Sequence, residues 1–133
     1  MDLPDKPEYE LRGGLFWHLK DGIIVGKPTP NDMTIVEAKE FTDLFWRLEP
    51  GGNFRILIDQ RGVSRKLDSG ARGHLVGDLQ KSLESLAIVT GNTISRFFAS
   101  SILATLGMGA KARAFDSDDD ALAWLRTAKR KVR

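Results

Sequence analysis

Short apolar runs alternating with amphipathic stretches of helical length constrain this chain more than any other feature. Ile23–Val25, Phe54–Ile58 and Leu86–Val89 have the compact apolar character of buried strands, and a further short strand is expected at 110–115. Between the first two runs, Ile35, Ala38, Phe41, Phe45 and Leu48 recur near one helical face, with Leu44 beside them. Helical stretches are also expected from Asp68 to about Ser82, over residues 94–106, and after Phe115. A hairpin between Tyr9 and Lys27, turning at Asp21-Gly22, completes the order β-β-α-β-α-β-α-β-α. Strands separated by helices need crossover connections, which make parallel pairs. The expected fold is therefore α/β: a mixed, mostly parallel sheet of about five strands, about four helices and an N-terminal β-hairpin.

Local signals place the ends of these elements. Thr29 followed by Pro30 and Asp32 reads as a helix start, and Pro50-Gly51-Gly52 as its end. Gly13-Gly14 suits a bulge or a close approach of backbones. Asp68-Ser69 is a plausible cap for the second helix. The acidic run Asp116 to Asp120 could suggest Mg²⁺ or Ca²⁺, but its order does not fit an EF-hand, and Ser117 with Asp120 three residues on reads as a helix cap. Trp124, with Leu122 and Leu125, is expected to pin the last helix to the sheet, and Trp17 and Trp46 to sit in the core or at its edge. Residues 1–8 are Pro-rich and charged, as in a flexible arm. Residues 9–128 form one domain, and 129–133 a basic tail.

Composition removes several function classes. With no cysteine, the chain has no disulfide, thiolate metal site or cysteine nucleophile. Its 20 basic and 18 acidic residues leave a net charge of +2, too balanced to argue for nucleic acid. No apolar run approaches the ~20 residues that cross a bilayer. The start shows no signal peptide, so a cytoplasmic, not transmembrane, protein without a cofactor is expected.

The ending Phe115-Asp116-Ser117 leading to Ala123-Trp124-Leu125, the strand Arg55–Asp59 and the strand Leu86–Thr90 resemble SpoIIAA-like proteins of the STAS/SEC14 type. The resemblance runs from about Tyr9 to Arg126. It implies a small bacterial regulatory domain, related to anti-sigma-factor antagonists that serine phosphorylation switches and to lipid-carrying Sec14 domains. Asp68-Ser69-Gly70 is similar to the phosphorylated turn of the antagonists, which makes Ser69 a candidate modification site. One serine stands here where that turn has two, and a basic loop precedes it.

In open α/β sheets ligands bind beyond the carboxyl ends of the strands. There the sequence gathers Asp59, Arg61, Arg65 and Lys66 after one strand and Thr93 after another, with Arg72, His74 and Arg96 in the helices that follow. Arginine forks and helix N-termini suit a phosphate or carboxylate. The competing reading is a solvated basic loop, with Ser69 and Thr93 capping helices. Phe97, Phe98, Ile102 and Leu106 fit core packing, a dimer contact or the wall of a lipid pocket. Ser69, His74 and Asp59 could be drawn as a triad, but Ser69 lacks the Gly-x-Ser-x-Gly context of a nucleophile elbow. His18 reads as a strand residue.

Together these features imply a non-catalytic regulatory or protein-interaction domain with a protein partner, a second copy in a homodimer being one form of it. The alternative is a carrier or sensor of an anionic small molecule or lipid. A hydrolase is the remote third reading.

Overall fold

The structure is a computed structural model that describes residues 3–63, 67–92 and 111–128. Six strands form one sheet in chain order: β1 (Tyr9–Leu11), β2 (Gly14–His18), β3 (Ile24–Pro28), β4 (Phe54–Asp59), β5 (Leu83–Val89) and β6 (Ala112–Phe115). β1–β2 and β2–β3 are antiparallel; β3 to β6 run parallel. The described helices are α1 (Ile35–Leu48), α2 (Ser69–Ser82) and α3 (Asp118–Ala128). The class agrees with the mixed, mostly parallel α/β sheet expected, with one strand more. The helix expected at 94–106 lies outside the described residues.

The additional strand comes from Gly13-Gly14. A single first strand was expected across this pair, with a bulge or a close approach of backbones. Instead the chain turns at Arg12-Gly13, so that Tyr9 pairs with Phe16 and Leu11 with Gly14. The turn expected at Asp21-Gly22 is present, with the Gly22 N–H bonded to the Leu19 carbonyl at 3.0 Å.

α1 begins later than Thr29-Pro30-Asn31-Asp32 suggested. β3 continues through Pro28, and the Thr29 N–H is held by the Gly13 carbonyl at 3.0 Å, which keeps this segment extended. Met33 then bridges Leu67, and Thr34 caps the helix. Its hydroxyl accepts from the Val36 N–H at 3.2 Å, and Glu37 accepts from the Thr34 N–H at 2.7 Å. Thr34-x-x-Glu37 is thus a capping box, which satisfies orphan donors at both ends of the motif. In α2 the cap is Asp68, which accepts from the Ala71 N–H at 2.8 Å; Ser69, weighed above as a cap, is the first helical residue instead. In α3 the Ser117 cap is present, accepting from the Asp120 N–H at 3.2 Å.

Period-two alternation splits the core between the two faces of the sheet. Phe16, Ile24, Phe54, Ile56 and Leu86 point to α1 and α2. Trp17, Val25, Leu57, Ala87 and Val89 point to the side covered by α3. The two described crossover helices, α1 and α2, lie on one face, as connections of a single hand require. At Gly26 only a hydrogen fits, because a Cβ would stand 2.7 Å from the Phe16 ring.

At the amino ends of the parallel strands, polar contacts close the sandwich. His18 meets Glu49 at 2.7 Å, Arg126 donates to Asp21 at 2.8 Å, and the buried Arg55 donates to the Asp21 carbonyl. His18 is therefore a paired strand-end residue. Residues 3–8, expected as an arm, lie along β2: Trp17 Nε1 donates to the Pro4 carbonyl at 3.1 Å, and Glu8 accepts from the His18 N–H at 2.7 Å.

Candidate functional site

The sheet divides the sequence-derived candidates between its faces. β4 carries Phe54, Ile56 and Ile58 toward α1 and α2, so its alternate residues Leu57 and Asp59 face the other way. Asp59 ends the strand and Arg61 follows two residues later. The Arg61 Nε and Nη2 donate to the two Asp59 carboxylate oxygens, both at 2.9 Å, and the Arg61 backbone N–H adds a bond at 3.1 Å. Asp118, at the start of α3, lies 3.5 Å from the same guanidinium. Gly91, with φ of +86°, makes room for the arginine stem: a Cβ there would stand 2.9 Å from Arg61 Cγ.

Arg61 is thus not the uncommitted anion fork that the sequence suggested. Its charge is answered within the chain by Asp59 and Asp118. Burial would raise the Asp59 pKa, but the hydrogen bonds and charge of Arg61, with Lys27 nearby, outweigh it and hold the carboxyl below its ordinary 3.8. A folded-state pKa below the unfolded one contributes stability above about pH 4, and that contribution is lost as the pH falls through the folded value. Asp59→Asn is accordingly expected to be less stable than the native chain at pH 7, by roughly 1–3 kcal/mol for lost charge-assisted bonds. The difference should shrink as the pH falls below about 4 and through the folded-state pKa. Urea unfolding of both proteins from pH 7 downward checks this.

These groups close one end of a cleft of about 360 Å³. Leu15, Trp17 and Val25 of the sheet line it, with Lys27 and Asp59 at the strand ends. Leu3, Pro4 and Pro7 form a wall opposite. Lys27, Asp118 and the residues from 3 to 7 were missed by the sequence reading. Alternation already placed Lys27 on the face of Val25, but no local pattern ties Asp118 or Pro4 to Arg61.

Arg72 and His74 lie elsewhere, on α2 and behind the sheet as seen from the cleft. His74 Nε2 is 2.9 Å from the Thr42 hydroxyl of α1, and Arg72 donates to the Leu67 carbonyl at 3.2 Å. With Asp59 bound to Arg61 and His74 bound to Thr42, Ser69, His74 and Asp59 form no relay in this structure. Arg65, Lys66, Thr93, Arg96, Phe97, Phe98, Ile102 and Leu106 lie outside the described residues.

The same edge, on the side of α1 and α2, carries an apolar feature. Ile35 was expected on the buried face, yet it is 40% exposed, and its neighbour Val36 is 47% exposed. Both sit at the first turn of α1. They adjoin the first turn of α2, where a Cβ on Gly70 would stand 3.4 Å from Ile35 Cβ. Ser69 and Arg72 are exposed alongside.

Comparison with known proteins supports the architecture. A family model described as Domain of unknown function (DUF7793) matches residues 16–129. Among solved structures, an uncharacterized protein of the DUF3478 family from Shewanella loihica PV-4, described as having a SpoIIAA-like fold, aligns with a TM-score of 0.62. It is 19% identical, and the alignment covers 89% of this chain and 98% of that one. No curated protein matches the sequence significantly. Among the described residues, no helix is long and apolar enough to cross a membrane.

Proposed function

We propose that this chain, which belongs to the family described as Domain of unknown function (DUF7793) and has a SpoIIAA-like fold, is a non-catalytic regulatory domain that binds a protein partner. The observation that carries this reading is the exposed pair Ile35 and Val36 at the carboxyl edge. Two adjacent β-branched residues, each a little under half exposed, forgo part of the roughly 1.5–3 kcal/mol that full burial of such a side chain is worth, which a docked protein surface would restore. Beside them, Ser69 and Arg72 supply the polar rim that interfaces place around an apolar centre. The pairing of Asp59 with Arg61 and of His74 with Thr42 favours binding over hydrolysis, because the available acid and imidazole already have partners.

A photo-crosslinking residue placed at position 36 of the full chain, in its native cells, tests the proposal. The expected result is one discrete protein adduct, absent when the probe replaces exposed Arg47 at the far end of α1 and lost in Ile35→Asp. A second copy of this chain as the adduct would make the interaction a homodimer. No adduct at position 36, or the same adducts at both positions, would overturn the reading.

A further inference from the structure

The two faces of the sheet are covered by different means. α1 and α2 lie over one face, and α3 packs chiefly against β4, β5 and β6 on the other. On that second face, part of the cover over Trp17 of β2 comes from residues 3–7. Leu3 packs against the cluster that holds Trp17, Val25 and Leu57, and Trp17 Nε1 donates to the Pro4 carbonyl at 3.1 Å. With this segment in place Trp17 is only 6% exposed.

As a cover the segment differs from a helix or a strand. Residues 3–7 belong to no element, and Pro4 and Pro7 have no N–H with which to join a ladder. A segment without regular backbone hydrogen bonds opens locally at lower cost than the elements around it. It also stands partly off the sheet. The cleft of about 360 Å³ has Leu3, Pro4 and Pro7 on one side and Leu15 and Trp17 on the other.

The resident segment shows which chemistry fits. An apolar side chain reaches the core cluster, and the proline after it brings no N–H to bury. The proline carbonyl then meets the indole donor. Because proline fixes φ, such a segment also loses less freedom on docking. We propose that residues 3–7 are a displaceable cover over a docking groove on β2 and β3, and that the groove takes a segment of a partner protein in which an apolar residue precedes proline. The incoming carbonyl replaces that of Pro4 on Trp17 Nε1. This surface is independent of the Ile35–Val36 edge, which belongs to the other side of the sheet.

A capped peptide with the sequence of residues 3–8, Leu-Pro-Asp-Lys-Pro-Glu, tests the proposal against the full ¹⁵N-labelled chain and its Leu3→Asp variant. The indole N–H resonances are assigned with Trp17→Phe, Trp46→Phe and Trp124→Phe. Leu3→Asp is expected to shift the Trp17 resonance and to leave those of Trp46 and Trp124 in place, which shows that the fold is kept. The peptide then returns the Trp17 resonance of the variant toward its native position, saturably. Its affinity for the native chain is at least about ten-fold weaker, because the resident segment competes at high effective concentration. A peptide carrying Leu3→Asp itself produces no shift, and the milder Leu3→Ala chain binds the original peptide with intermediate affinity. An unchanged Trp17 resonance in Leu3→Asp, no saturable shift with millimolar peptide, or equal affinity for the native chain and the variant would overturn the proposal.

Discussion

Phe41→Ala is expected to lower the free energy of unfolding by about 3–5 kcal/mol, the range for losing a buried aromatic side chain. Phe41 is 4% exposed and sits where α1 meets the β1–β2 turn. Its ring packs edge-on against Phe16 with centroids 4.9 Å apart, and it touches the backbone at Gly13 and Gly14, which approach within 3.0 and 3.3 Å as positions for a Cβ. On that wall the glycines offer no side chain to fill the space. The cavity would therefore persist, and the cavity term would add to the lost transfer energy. A domain of this size has roughly 5–15 kcal/mol in all, so a third or more of the stability is at stake. Urea unfolding followed by circular dichroism measures it; a loss below about 1 kcal/mol would mean that the α1 contact with the hairpin is misassigned.

Leu125→Ala should cost about 2–5 kcal/mol, and Trp124→Ala distinctly less. The sequence makes Trp124 the conspicuous residue of the last helix. In the structure Trp124 is only half-buried, tilted against Phe115 at 5.6 Å, whereas Leu125 is wholly buried with Ala121 and Leu122 over Leu57, Ala87 and Val89. The helical period decides this, since Ala121, Leu122 and Leu125 share the inward stripe and Trp124 falls at its margin. The same unfolding experiment on both variants checks the order; a larger loss for Trp124→Ala would reverse it.

Much of the fold could be read from residues because the period of each element matched its burial. Phe54–Asp59 and Ser69–Ser82 appear where the apolar run and the Asp68 cap placed them. The boundaries that moved did so for tertiary reasons. Thr29 and Pro30 have the residue types of a helix start, but the bond from the Thr29 N–H to Gly13 extends the segment, and the capping box at Thr34 and Glu37 takes over. Leu83 to Ser85 extend β5 because the sheet pairs Leu83 with Phe54 across a bulge, which no local pattern announces. The candidate site was legible only in part. Asp59 and Arg61 were found as charges at a strand end, but their mutual pairing inverts the electrostatic reading from a free anion site to a neutralised pair. His74 and Arg72 were grouped with them by sequence position, and the sheet separates them.

Native mass spectrometry of the chain gently isolated from its own cells tests the central claim, protein binding at the Ile35–Val36 edge, most directly. The account predicts a complex with a second protein chain in fixed stoichiometry, absent when the Ile35→Asp, Val36→Asp double variant is isolated in the same way. A native chain that flies alone, or a complex that persists unchanged in the double variant, would contradict it.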